Sequence, residues 1–177
     1  IRQQIDRWQQ DTKINNEEYV YLVAALIEAL PFVSNTTGTY GAFLKKWDKR
    51  AFKPISLNDH EIFDNGLQNK SYCEDAKKLI KNLKGDILYL DPPYNGRQYG
   101  SNYHVLETIA RYDYPNVRGV TSMRDNNDIR SNFCIKSKAK EELDEIIESS
   151  NFRYIFFSYN NEGILLQEEI KEIFTKY

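Results

Sequence analysis

The sequence predicts an α/β fold built around a doubly wound parallel sheet. Two short stretches, "ILYL" at 87–90 and "FRYIFF" at 152–157, are nearly continuous apolar runs. Runs of that kind fit strands buried on both faces, as in parallel sheets. Each run lies beside segments whose apolar residues recur at helical spacing, and alternating strands and helices imply parallel pairing with ligands outside the carboxyl ends of the strands. With 177 residues, 41% hydrophobic and 28% charged, the chain is long enough for one domain with a real core or for part of a larger one.

The elements follow in order. Ile1, Ile5 and Trp8 share one face of a helix over residues 1–10. A second helix is capped by Asn15 with Glu18 three residues on, carries Tyr19, Leu22, Val23, Leu26, Ile27 and Leu30 as its apolar stripe, and stops at Pro31. "SNTTGTYGAF" has loop composition. Lys45, Lys46, Lys49, Arg50 and Lys53 then crowd around Trp47, either as the solvated face of a short helix or as a surface suited to a phosphate backbone. A short strand is expected at Ser71–Cys73, and then a helix with Ala76, Leu79, Ile80 and Leu83 on one side. Gly85 punctuates before the strand Ile87–Leu90, and a helix beginning near Ser101 carries Val105, Leu106, Ile109 and Ala110. Residues 112–136 form a long polar excursion of the type that is functional or mobile. A helix capped by Ser137 carries Leu143, Ile146 and Ile147, "FRYIFFSYN" returns as the second strand, and "GILLQEEIKEIF" closes as a helix.

Composition narrows the function. A net charge of −2 argues against a wholly basic surface, though it leaves room for a local positive groove. Cys73 and Cys134 are the only cysteines and fit a reducing compartment, while His60 and His104 stand far apart, so no metal site is expected. No run is long and apolar enough for a membrane span, and no signal peptide opens the chain. The chain begins in helical sequence without a methionine, as expected of a fragment.

The chemistry concentrates in "GDILYLDPPYNGRQYGSNYH". Asp91 follows a buried strand directly; Pro92 and Pro93 cannot donate hydrogen bonds and restrict the turn, yet leave their carbonyls free, and Tyr94 adds a flat ring. A carboxylate, a free carbonyl and a stacking ring suit a planar group with an exocyclic amine, such as adenine. That amine is a poor nucleophile because its lone pair is delocalised, and accepting hydrogen bonds from both N–H groups favours a geometry that turns the lone pair toward an electrophile. Such a site works by positioning and electrostatics.

"DPPYNGRQYGSNYHVLETIARYD", flanked in order by "VSNTTGTYGAFLKKWDKRA" and "FRYIFFSYNNEG", resembles the N6-adenine-specific DNA methyltransferases of restriction–modification systems, in the subclass related to the Dam-type enzymes. The resemblance spans roughly residues 1–166. It implies a Rossmann-like, S-adenosylmethionine-dependent methyltransferase fold, incomplete here, with a helical N-terminal insertion: residues 1–57 as a helical segment and loop facing DNA, and 58–177 as the catalytic α/β portion with its polar loop at 112–136. It further implies that Asp91 accepts from the adenine N6 amine beside the methionine part of the cofactor, that Pro92 offers a carbonyl to the second N–H, that Pro93 stiffens the turn and that Tyr94 stacks on the base. The base must first be flipped out of double-stranded DNA.

Asp75 resembles the acid that approaches the adenine end of the cofactor, and equally an acid at a helix N-terminus. Tyr103 and His104 are read evenly as base or cofactor contacts and as packing. Arg97, Arg118, Arg124 and Arg130 are candidate phosphate contacts, each singly more suited to solvent, and Ser158, Tyr159 and Asn160 would shape the target-base pocket. The resemblance also implies a bacterial cytoplasmic setting and a cognate restriction endonuclease.

The family's F-x-G-x-G segment, which cradles the methionine portion, has no match; "GTYGAF" has glycines but no strand leading into it. The expectation is a carboxyl-terminal catalytic portion with weak or absent cofactor binding and no turnover alone. Two alternatives stay open: a non-catalytic DNA-binding or assembly module of the same fold, and a methyltransferase acting on cytosine N4 or on an amine in RNA or protein.

Overall fold

A computed structural model describes residues 1–59 and 61–177; His60 lies outside the described residues. In chain order the elements are α1 (Arg2–Gln10), α2 (Asn16–Ala29), α3 (Ala76–Ile80), β1 (Lys84–Leu90), α4 (Tyr99–Asn102), α5 (His104–Arg111), β2 (Val117–Arg118), β3 (Met123–Arg124), α6 (Ala139–Glu148), β4 (Asn151–Phe157) and α7 (Gln167–Lys176), with short 3-10 turns between some of them. They fall into two compact units, Ile1–Gly66 with Tyr99–Asp128, and Leu67–Gln98 with Ile129–Tyr177.

The second of these holds the sheet. β1 and β4 pair in parallel, with Leu88 opposite Ile155 and Leu90 opposite Phe157. These four side chains pack on a buried cluster drawn from Ile80, Phe133, four residues of α6 (Ala139, Leu143, Ile146 and Ile147), Leu165 and Ile173 of α7. Leu143 and Ala139 are fully enclosed because their spacing on α6 points them at the same side.

The other face departs from the expected double burial. Ile87 opposite Tyr154 and Tyr89 opposite Phe156 are 51–64% exposed. A continuous apolar run shows that a strand can be buried on both sides, not that covering elements exist, and among the described residues helices cover one face only. A doubly wound arrangement is therefore not seen; the chain shows a mixed α/β fold with a two-stranded parallel sheet. A Cβ at Gly85 would stand 3.0 Å from the ring of Phe152, which packs against the buried cluster.

Several boundaries move for identifiable reasons. Ser71–Cys73 forms no strand. α3 stops at Ile80, three residues before Leu83, and Lys84 already belongs to β1. The α6 cap position falls on Lys138 and not Ser137, and no side chain caps it. α7 begins at Gln167, because Gly163–Leu166 are used in a turn.

The first unit rests on α1, α2 and α5. Asn15 accepts from the Glu18 N–H at 2.9 Å while Glu18 accepts from the Asn15 N–H at 2.8 Å, the reciprocal cap that the sequence predicts. Arg2 is buried, donating to the Ile109 carbonyl at 2.9 Å, to Asp6 and to the Tyr19 hydroxyl, with its guanidinium 4.3 Å from the Tyr112 ring centroid. Within the polar excursion, β2 and β3 form a minimal antiparallel pair, and Arg124 forks onto the Asp113 carboxylate at 3.0 and 2.5 Å. The guanidinium holds the Asp113 carboxyl below its usual range through those hydrogen bonds.

Candidate active site

β1 and β4 run side by side to their carboxyl ends, and the Ser158 N–H donates to the Leu90 carbonyl at 2.8 Å just past the ladder. Pairing stops there because Pro92 and Pro93 have no N–H to offer. The chain turns away from the sheet, leaving the Asp91 carboxylate exposed, and among the described residues it has no hydrogen-bond or ion-pair partner. Nor does any donor among those residues meet the Pro92 carbonyl. A free carboxylate and a free carbonyl thus stand on adjacent residues of a stiff turn.

The turn is anchored at its far side. The Tyr94 carbonyl accepts from the Ile164 N–H at 2.8 Å and, more weakly, from the Tyr159 hydroxyl at 3.4 Å. That hydroxyl also accepts from the Leu165 N–H at 3.2 Å, and the Tyr159 ring stacks on Phe157 with centroids 5.1 Å apart. Asn160 Oδ1 accepts from the Glu162 N–H at 2.7 Å, and the Gly163 N–H donates to the Asn160 carbonyl at 3.0 Å, closing a tight turn. A Cβ at Gly163 would fall 2.3 Å from Tyr159 Cε1, so only glycine fits unless the ring moves. The Tyr94 ring borders a cleft of about 390 Å³ together with Asn95, Lys136, Glu162, Ile164 and Leu166.

Two groups of residues, Asp91–Tyr94 and Ser158–Asn160, are therefore brought together at the sheet's carboxyl end, with Tyr159 acting as a strut under the turn. Ile164, Leu165 and Gly163 complete this brace. Sequence reading assigned them to the start of a helix; the Asn-Asn-Glu-Gly turn chemistry of residues 160–163 was the available signal. Arg97 follows the turn with its side chain exposed, while its carbonyl accepts from the Cys134 thiol at 3.3 Å. Burial pushes that thiol's pKa up.

The remaining candidates are placed differently. Asp75 accepts from the Lys78 N–H at 3.2 Å and caps α3. Tyr103 and His104 belong to the other unit. Tyr103 is exposed and meets Tyr99 edge-on at 5.9 Å, whereas His104 is fully buried with its ring nitrogens 2.9 and 2.7 Å from the Ser101 and Thr121 carbonyls. Arg124 is buried on Asp113 and cannot reach a phosphate, a correction to its candidacy, while Arg118 and Arg130 are exposed.

A methionine-bearing cofactor needs a close backbone approach in addition to the acid. In this unit Gly85 faces the Phe152 ring, Gly163 faces Tyr159, and a Cβ at Gly96 would stand 3.8 Å from the Cys134 carbonyl. Gly96 and Gly163 line the cleft beside Tyr94, with the Tyr159 ring filling the space in front of Gly163. The exposed Asp91 carboxylate and the free Pro92 carbonyl are acceptors suited to an amine donor.

The family model described as "D12 class N6 adenine-specific DNA methyltransferase" matches residues 1–173. Among curated relatives, the chain is 48% identical to modification methylase StsI of Streptococcus sanguinis and 51% identical to type II methyltransferase M.FokI of Planomicrobium okeanokoites, in each case over all of this chain and 27% of the relative. It is 44% identical to type II methyltransferase M.NlaIII of Neisseria lactamica over all of this chain and 52% of the relative. The chain thus spans between about a quarter and a half of the length of these relatives. No solved structure matches it.

Proposed function

The chain belongs to the D12 class of N6 adenine-specific DNA methyltransferases, and from that premise we propose that it carries the target-adenine half of a site-specific methyltransferase acting on double-stranded DNA. The observation that supports this most directly is the braced turn: an Asp91 carboxylate and a Pro92 carbonyl, both without a partner among the described residues, held by Ile164 and Tyr159 through the carbonyl of Tyr94. The Rossmann-like fold common to such enzymes would place this turn at the sheet's carboxyl edge, in keeping with the parallel pairing of β1 and β4.

In the proposed mechanism an adenine is extruded from the duplex and stacks on Tyr94. Asp91 accepts one N6–H and the Pro92 carbonyl accepts the other, fixing the amine. As the N6–methyl bond would form, the methyl group's bond to the sulfonium sulfur would break and a neutral thioether would leave; the Asp91 carboxylate would stabilise the positive N6 until its proton passes to solvent. S-adenosylmethionine, when bound, supplies the electrophilic methyl group. Asp91 would stand beside the methyl group when the cofactor is bound. A restriction endonuclease reading the same DNA site is the natural companion of such an enzyme.

The test is Asp91→Asn and Asp91→Ala in the protein as encoded, assayed with labelled cofactor on duplex DNA. Transfer should fall by at least 100-fold, roughly the lower end of what removing a transition-state electrostatic contact costs. Wild-type transfer by either variant would refute the assigned role. A non-catalytic module would show no transfer in the unmutated protein while still binding DNA.

A further inference from the structure

We propose that the segment from Lys45 to Lys53 is a preformed platform for an unstacked DNA strand, its lysines on phosphates and Trp47 under a base. The inference rests on the DNA reading above but concerns residues that the methyl-transfer site does not use. Lys45, Lys46, Lys49 and Lys53 are exposed, and none has an ion pair among the described residues. Trp47 is 66% exposed and Phe52 73% exposed, with ring centroids 5.8 Å apart. Large aromatic rings held in water between unpaired cations are costly to leave bare and match the two needs of single-stranded nucleic acid, phosphate neutralisation and a stacking surface.

The segment is also held in shape before any ligand arrives. Asn35 donates from Nδ2 to the Leu44 carbonyl at 2.9 Å and accepts at Oδ1 from the Asp48 N–H at 3.0 Å, clamping the chain on both sides of Trp47. Asp48 accepts from the Arg50 N–H at 2.9 Å to start the 3-10 turn Lys49–Phe52, and Arg50 reaches back to the Thr36 carbonyl. Asp48 and Arg50 are spent on this scaffold, which leaves the net charge of the outward groups positive. Base flipping opens a duplex locally, so the strand that fits here is one with unstacked bases and not an intact helix.

The experiment uses Trp8→Phe, which leaves Trp47 as the only tryptophan. A short single-stranded oligonucleotide should quench its fluorescence, and intact duplex should quench less. Trp47→Ala should weaken single-strand affinity about tenfold, with Trp47→Phe keeping most of it. Each of Lys45→Ala, Lys46→Ala, Lys49→Ala and Lys53→Ala that removes a phosphate contact should lower the slope of log affinity against log salt by about one. Absence of single-strand binding, binding without quenching, or slopes unchanged in all four lysine variants would overturn the proposal. Quenching by heparin equal to that by DNA would also overturn it, because heparin has charge but no bases. Oligonucleotides without adenine should give the same readouts, so failure of the platform and failure of the methyl-transfer assignment are separable.

Discussion

The two compact units are held together in different ways. In the unit with the sheet, eight buried apolar side chains from Ile80 to Ile173 form one cluster. The other unit encloses Arg2, His104, Arg124 and Asn126 next to a small apolar set of Ile5, Ala25, Leu26 and Ala29. Its buried cations are wired to carbonyls and carboxylates, and Asn126 Oδ1 is buried without a hydrogen-bond partner among the described residues. Apolar packing has no group to titrate, whereas a polar core is only as good as its least satisfied atom. The Asp91–Tyr94 turn sits on the packed unit, where positional precision is available.

The contrast can be broken most directly at Leu143. Leu143→Ala should cost about 2–5 kcal/mol of stability in the sheet-bearing unit. Urea unfolding followed by amide exchange should show the loss in Lys84–Leu90 and Asn151–Phe157 first; a loss spread evenly over both units would show that they do not unfold separately. In the polar unit, Arg2→Ala removes three hydrogen bonds and strands the Ile109 carbonyl, at a cost of about 1–3 kcal/mol. An effect confined to the sheet would contradict the separation.

Tyr159→Phe sharpens the link between packing and chemistry. The ring stays on Phe157 but its hydroxyl no longer braces Tyr94 and Leu165, so stability should fall by about 1 kcal/mol. Methyl transfer by the protein as encoded should then slow through kcat with little change in KM for DNA. The smallest effect is expected at Asp113. Its folded pKa is depressed by Arg124, so the stabilisation is present above the ordinary carboxylate value and is lost as pH falls through the folded value. Asp113→Asn should flatten the acid limb of the stability profile of that unit, and an unchanged limb would remove Asp113 as its source.

Much of the site was legible because it is local. Asp91 to Tyr94 at a strand end, and the Asn15–Glu18 cap, are short-range patterns whose physics is complete within a few residues. What stayed hidden depends on what comes near from elsewhere. The continuous apolar run through Ile87 and Tyr89 could not reveal that nothing among the described residues covers them, and the identity of Arg124 could not reveal that Asp113 claims it. His104 shows the same limit: a histidine beside a catalytic motif looks available until both ring nitrogens are seen against carbonyls. The brace under Tyr94 is hidden in the sequence because the apolar spacing of Ile164 and Leu165 continues that of α7, while the turn over residues 160–163 ends the helix short of them.

The two-stranded sheet has a consequence for handling the protein. Each strand has one edge whose backbone groups meet no other strand among the described residues, and neither "KGDILYL" nor "NFRYIFF" contains a proline to interrupt it. With four large apolar side chains on the same surface, these edges offer a ready template for intermolecular strand addition. Lys84, Asp86 and Arg153 are the charges within the strands that oppose it. Self-association through β-augmentation is therefore the failure mode to expect of this polypeptide at high concentration, and like-charge substitutions at these strands are the rational means of keeping it dispersed.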